Sequence, residues 1–531
     1  MRLKYLFTLL LIVTAFTSGC AVNPVTGKNE LVLVSKAQEI NIGAKQYLPG
    51  RQSQGGDYTV DPTITAYVRE VGQRLAAVSD RRDLPWEFAV VNDSTPNAWA
   101  LPGGKIAINR GLLVELDDEA QLAAVLGHEI VHAAARHGAK RVERGMLLQG
   151  LMAASAVASR NSRYSSLAVG GAGLVSALIG QSYSREAELE ADHYGMIYMA
   201  RAGYDPAAAV ELQRTFLKLA QKRRNDWLSG LFASHPPSQE RIDANLRTAA
   251  SLPGGGQRYR QRYHHRLATL FKDRQAYKLY DDARKSLKDK QLDQALSLAR
   301  QALRLEPREA LFHSLRGDIR FEQQRWNDAI INYNRAIARN PAYFHYYLQR
   351  GLSRMHLHRD TLAQDDLQRS IALLPTAPAY TALGQLALNR GQRRRAKDFF
   401  AQALKSPSPA GKAARTAYER LDLSDNPQRY IRCQPALDRH GYLVAKIRNH
   451  AHAAVNNVVI AVEFTDNGGG RHRVKLRGPQ HLPPNSGAIV TTGIGPLHAA
   501  RQAHITISAV KLPPPAPAKH QLAPTGTQFA Y

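Results

Sequence analysis

Apolar and polar positions change rhythm three times along this chain of 531 residues. Between residues 35 and 250 the rhythm is helical. Leu122, Val125 and Leu126 recur at helical spacing behind Asp117-Asp118-Glu119, whose charges suit a helix N-terminus, so a helix is predicted through His132. Ser184-Arg185-Glu186-Ala187-Glu188-Leu189-Glu190-Ala191-Asp192 predicts a second, acidic helix. Between them, Met146 to Ile179 is rich in Ala, Gly, Leu and Val. Arg160 to Tyr164 split that stretch into pieces too short to span a bilayer, which favours packed core helices over a lid. From 276 to 409 small residues return at a fixed interval. Pro307, Pro341 and Pro375 stand 34 apart, as do Ala295, Ala329 and Ala363, the set Ala302, Ala336 and Ser370, and the pair Gly317 and Gly351. Gly384, Ala396 and Ala403 follow one residue short of that register. From 428 to 512 the rhythm turns to alternation, as in Tyr442 to Ile447 and Val458 to Phe464. Turn residues at Asp466 to Gly470 and Pro483 to Gly487 separate the predicted strands.

These textures divide the chain. A period of 34, with small residues where helices cross and proline at the close, is the tetratricopeptide pattern of stacked helix pairs, which form a groove for peptides or helices. The alternating segment predicts a small all-β sandwich. Leu252-Pro253-Gly254-Gly255-Gly256 opens a basic linker over 251–275, and the Pro- and Ala-rich tail 513–531 reads as disordered. At the other end, Arg2 and Lys4 precede an apolar run from Leu6 to Phe16 and then Thr17-Ser18-Gly19-Cys20. This is the layout of a secretory signal over 1–19, too short to span a membrane. Small residues before a cysteine resemble a bacterial lipobox, with Thr17 where leucine is usual. Cys20 is therefore the expected lipidation site and 20–34 a tether, and multiple acyl chains make such anchoring stable. The only other cysteine is Cys433, so a lipidated Cys20 leaves no intramolecular disulfide.

Charge sharpens the division. The net charge of +27 is not shared evenly. Residues 21 to 245 hold 24 basic and 24 acidic side chains, whereas 246 to 531 hold 45 basic against 20 acidic. The excess points to an anionic membrane surface or acidic protein clients, set against the plainer reading of solvated helix faces. An exported chain gives no reason to expect nucleic acid.

The candidate chemistry lies in the balanced half. His128-Glu129-Ile130-Val131-His132 places two imidazoles four apart on one helix face, able to reach one ion, with Glu129 between them to act on water. A catalytic zinc needs a third protein ligand and an open position. Glu188 and Asp192 share a face of the acidic helix, so one carboxylate can bind metal while the other orients a ligand histidine, His128 or His132.

HExxH followed by Glu188 to Asp192 as ExxAD resembles the zinc metallopeptidases of the HtpX and CaaX-prenyl-protease type, and within them the BepA-like periplasmic lipoprotein branch. Asn97-Ala98-Trp99-Ala100-Leu101-Pro102-Gly103-Gly104 resembles the family's substrate-side strand. Ser234-His235-Pro236-Pro237-Ser238 with Arg241 resembles its downstream histidine loop, and Asn23 to Gly27 the start of its mature lipoproteins. The resemblance covers roughly residues 20 to 250. It implies an α+β zincin-like metallopeptidase domain over 35–250, ahead of the all-α tetratricopeptide solenoid and the β-sandwich. It implies one zinc ion on His128, His132 and Glu188, with Glu129 as general base and Asp192 orienting a ligand histidine. Asn97, Trp99, Ala100 and Arg241 are expected at the substrate. His235 has three readings: an oxyanion donor, a ligand that plugs the open zinc position, or an ordinary turn histidine. The implied function is an endopeptidase for unfolded or misassembled envelope proteins in bacterial outer-membrane protein quality control. Its repeats would bind clients or an assembly machine, and Ala21 after Cys20 suggests outer-membrane sorting. The competing reading is a periplasmic chaperone or scaffold with little turnover.

Overall fold

The computed structural model describes residues 20–158, 182–222 and 229–512. The predicted signal segment, the later part of the apolar stretch ending at Ile179, and the tail 513–531 lie outside the described residues. The chain forms two compact units that divide after Ser353, inside a repeat helix.

The first unit opens with a hairpin of β1 (Cys20–Val22) and β2 (Asn29–Leu31). Helix α1 (Lys36–Ser53) starts from a capping box in which Ser35 and Gln38 satisfy each other's backbone N–H groups, and Asp61 caps α2 (Pro62–Ala76). Strands β3 (Glu87–Val91), β4 (Ala98–Leu101) and β5 (Lys105–Asn109) form a sheet of order β3-β5-β4, with β3 parallel and β4 antiparallel to β5. That order leaves β4 on the sheet edge. After the short α3 (Arg110–Leu113) comes α4 (Glu119–Ala134), the predicted metal helix, capped by Asp118, whose side chain accepts from Gln121 N. Every residue of α4 is buried, as expected of a helix packed on all sides. It is followed by α5 (His137–Ala158), α6 (Arg185–Arg201, capped by Ser184), α7 (Ala207–Lys222), α8 (Ser229–Ser234) and α9 (Gln239–Ser251). None of the described helices is long and apolar enough to cross a membrane.

Two glycines set the distance between the metal helices. A Cβ on Gly127 of α4 would meet the Gly195 carbonyl oxygen at 3.1 Å, and one on Gly195 of α6 would meet His128 N at 3.0 Å. The helix backbones touch where side chains are missing, which carries the acidic face of α6 onto the histidine face of α4.

The linker is spent on the peptidase side. Arg258 pairs with Asp118 and Glu211, and Arg262 with the buried Glu119, before and within α10 (Arg260–Arg266). Part of the basic excess is therefore internal. After α11 (Ala268–Lys272), the repeats begin as α12 (Arg274–Lys288) with α13 (Leu292–Leu305), and α14 (Ala310–Glu322) with α15 (Trp326–Arg339). Gly317 is small because Tyr333 lies against it; a Cβ there would be 2.5 Å from the ring. These repeats pack on the loops around the sheet. Asn92 Nδ2 and Tyr277 OH both donate to Glu309 Oε2, at 3.0 and 2.5 Å, and Arg110 stacks 3.3 Å over Tyr277. Gln52 bridges Ala342 O and Phe344 N, the latter at the start of α16 (Phe344–His356).

The second unit continues with α17 (Asp360–Leu373), α18 (Ala377–Asn389), α19 (Arg393–Ala403) and α20 (Pro409–Asp425). Gly384 stands against Phe400 as Gly317 does against Tyr333. Seven antiparallel strands follow: β6 (Ile431–Leu437), β7 (Leu443–Asn449), β8 (Val455–Thr465), β9 (Arg471–Arg477), β10 (His481–Leu482), β11 (Gly487–Thr491) and β12 (Ala503–Lys511). One sheet runs β11-β7-β6; in the other β8 lies between β12 and the pair β9 and β10. Leu443, Ala445 and Ile447 of the first sheet share a core with Val458, Ile460, Val462, Ile505 and Ile507 of the second, which makes the segment a sandwich.

Candidate metal centre

His128 and His132 lie one turn apart on α4, and Glu188 enters from the first turn of α6. His235 comes from the start of the loop between α8 and α9, and all four residues are buried. Their donor atoms converge. His132 Nε2 is 3.0 Å from His128 Nε2 and 3.4 Å from Glu188 Oε1. His235 Nδ1 is 3.2 Å from His128 Nε2 and 2.9 Å from Glu188 Oε1. Zinc bonds of about 2.0–2.1 Å put tetrahedral donors about 3.3 Å apart, so the four atoms fit one zinc ion. Glu129 Oε2 is buried without a hydrogen-bond partner, which a metal-bound water would supply, whereas Glu188 Oε2 is ion-paired with Arg241 at 2.9 Å.

Outer partners fix the rings. Asp192 Oδ1 lies 2.9 Å from His128 Nδ1, so of the two histidines left open by spacing it is His128 that Asp192 contacts. Arg241 forks onto Asp192 through Nε and a terminal nitrogen, at 2.7 and 2.8 Å, and reaches Glu188 at 2.9 Å. Tyr183 stacks on His132 with ring centres 3.8 Å apart. The electrostatics favour a cation. Burial lowers the His128 pKa, but Glu188 and Asp192 outweigh it and push it up to about 10. Burial works against ionised Glu188 and Asp192 as well, yet His235 and His128 hold the first well below the carboxylate range and Arg241 lowers the second. Glu129 is raised, chiefly by burial, which suits a proton acceptor.

The remaining predicted residues fall as follows. Ala100 is buried on the edge strand β4 beside Trp99, whose side chain joins the core with Tyr47 and Leu101. The Trp99 indole donates to Gln54 Oε1 at 3.3 Å, so its polar edge is used inside the fold. Asn97 is buried next to β4, and its Oδ1 has no hydrogen-bond partner. Arg241 is 5% exposed and its direct contacts are with the site carboxylates and the Pro236 carbonyl, not with an open surface. Cys20 begins β1. Sequence reasoning missed His137, whose Nδ1 lies 2.8 Å from His132 Nδ1, and the glycine crossing. The His137 signal was there to read, as a third histidine five residues beyond His132.

Two histidines and a glutamate on crossing helices, with a buried glutamate beside them, define a mononuclear metal centre of the HExxH hydrolase class. The family is more specific. Residues 62–249 match the family model described as Peptidase family M48, and this segment is a domain of that family. The chain is 37% identical over 179 residues to "Mitochondrial metalloendopeptidase OMA1" of Schizosaccharomyces pombe, covering 34% of this chain and 51% of that protein. It is 31% identical over 223 residues to "Beta-barrel assembly-enhancing protease" of Escherichia coli, covering 38% of this chain and 45% of that protein. The chain thus spans about half the length of these curated relatives. A thermophilic tetratricopeptide protein of Thermus thermophilus matches 40% of this chain and all of its own, at 21% identity and a TM-score of 0.25.

Proposed function

We propose that this chain is a zinc-dependent endopeptidase for unfolded or misassembled envelope proteins, anchored to the bacterial outer membrane through Cys20. In this reading the repeats bind clients or an assembly machine. The observation that carries the catalytic part is the four-donor cluster with the orphaned carboxylate oxygen of Glu129 beside it. When bound, zinc supplies Lewis acidity that polarises a peptide carbonyl and acidifies water. His128, His132 and Glu188 hold it. Glu129 takes the proton from the attacking water and passes it to the leaving amine, and burial keeps its proton affinity suited to both steps. The free edge of β4 offers backbone groups to an extended chain, which favours unfolded segments over folded domains. Beside Glu129 a cavity lined by Val125, Met196, Met199, Leu212 and Phe216 suits an apolar side chain.

His235 Nδ1 lies beside the donor atoms of His128 and Glu188, which supports the plug among its three readings: it would take the position the three ligands leave open until a client displaces it. The test is zinc analysis of the purified chain and digestion of an unfolded protein. Glu129→Gln is expected to keep zinc and lose about 10²–10⁴-fold in rate. Equal cleavage by both proteins, or a zinc-free wild type, refutes the enzyme and leaves the chaperone or scaffold reading. His235→Ala is expected to raise the rate while retaining zinc; a loss of rate assigns His235 to the oxyanion instead.

A further inference from the structure

We propose that His137 is a positioning residue for His132, and that the N-terminal segment behind Cys20 holds the turn that presents it. The inference rests on the zinc reading above. His132 points Nε2 at the other donors, so with metal there its proton must sit on Nδ1. Among the described residues Nδ1 has one hydrogen-bond partner to accept that proton: His137 Nδ1, at 2.8 Å. His137 accepts on Nδ1 only as the tautomer that carries its proton on Nε2, and that nitrogen faces Glu190 Oε2 at 3.4 Å. Lys28 holds the other Glu190 oxygen at 3.0 Å. A chain of hydrogen bonds results in which His132 donates to His137, His137 donates to Glu190, and Lys28 donates to the other Glu190 oxygen. It differs from the Asp192 contact on His128 in delivering an imidazole, not a carboxylate, to the ring. The two ligand histidines are therefore oriented by different chemistry.

Backbone geometry supports the assignment. His137 follows Arg136, which ends the metal helix at φ 63°, a left-handed conformation that side chains rarely adopt. That turn is held from the N-terminal segment. Asn23, 2% exposed, donates to Ala135 O at 3.0 Å. Arg136 donates to Val34 O at 2.6 Å and pairs with Glu39 and Glu143, and Glu143 in turn accepts from Leu33 N and Val34 N. A residue that merely filled space after the helix would need none of these bonds. The segment adjoining the expected lipid anchor is in this way part of the support of the metal site.

The test measures zinc affinity of the full chain by chelator competition, alongside unfolding of the zinc-free proteins. His137→Leu removes the acceptor and is expected to weaken zinc about 10–100-fold, whereas His137→Asn, whose amide oxygen can stand in for Nδ1, should recover most of it. Asn23→Ala and Glu190→Gln should each weaken zinc by a smaller factor. Unchanged affinity in His137→Leu, or equal loss in the Leu and Asn variants, overturns the proposal. Should the variants not fold, zinc-loaded wild type labelled with ¹⁵N-histidine decides. A coupling across His132 Nδ1–H···Nδ1 of His137 is expected, and a freely exchanging His132 proton overturns it. A wild type that binds no zinc would overturn the zinc reading itself and this inference with it.

Discussion

Gly195→Ala tests whether helix spacing, and not ligand identity alone, makes the metal site. The added methyl would sit 3.0 Å from His128 N and 3.1 Å from the Gly127 carbonyl carbon, all of it helix backbone that cannot swing aside. Restoring ordinary contact at about 3.5 Å or more moves α6 away from α4 by about 0.5 Å. Glu188 and Asp192 ride on α6, seven and three residues before Gly195, so they move with it. Metal sites tolerate about 0.2 Å in bond length, and the displacement exceeds that. The expected cost is about 10–100-fold in zinc affinity, comparable to losing an outer partner of a ligand. Stability answers differently. Alanine gains about 1 kcal/mol of helix propensity over glycine, while overpacking costs about 1–3 kcal/mol. The zinc-free protein should therefore change little, and the zinc-bound one should lose the difference in binding. Chelator competition and denaturant unfolding with and without zinc read both quantities. Wild-type zinc affinity together with a stabilised zinc-free protein would refute the argument, since it would mean that α6 absorbs the methyl without moving its carboxylates.

Two further perturbations probe the repeats. His313 is buried, donates from Nε2 to Pro307 O at 3.0 Å, and leaves Nδ1 without a partner; burial, helped by Arg339, Arg316 and Arg335, pushes its pKa down to about 4. The unfolded chain then binds the proton more readily, so stability is full above about pH 6.5 and falls as pH drops towards 4, by about 2 kcal/mol at pH 5. His313→Gln should remove that slope in urea unfolding, and an unchanged slope refutes the assignment. Glu309, 1% exposed, accepts from Asn92, Tyr277 and Leu311 N, joining the repeats to the peptidase sheet. Glu309→Ala should cost about 2–4 kcal/mol of stability of the first unit by leaving those donors unpaired, and a loss under about 1 kcal/mol would show that the contact contributes little.

Local spacing made part of this molecule legible. His128, Glu129 and His132 follow from one helix face, and Glu188 and Asp192 from another, because a period of 3.6 residues decides which side chains can meet. The 34-residue interval and the alternating strands were equally plain, and Gly317 and Gly384 show why: each is small to admit the ring of Tyr333 or Phe400. Contacts between distant residues were not legible. Nothing local says that Asp192 serves His128, that Trp99 turns its indole inward to Gln54, or that Arg241 is consumed by carboxylates.

What the sequence determined by itself is the set of donors, the helices that carry them and the repeat that follows. What only the tertiary structure decided is their assembly. Gly127 and Gly195 set how closely the helices approach, His235 stands at the fourth corner, and His137 backs His132. Repeats more than two hundred residues from the sheet lock onto Asn92 and Gln52. The physical reason is that helix and strand periods act over a few residues, whereas close approach and buried polar pairing are settled only when distant elements meet.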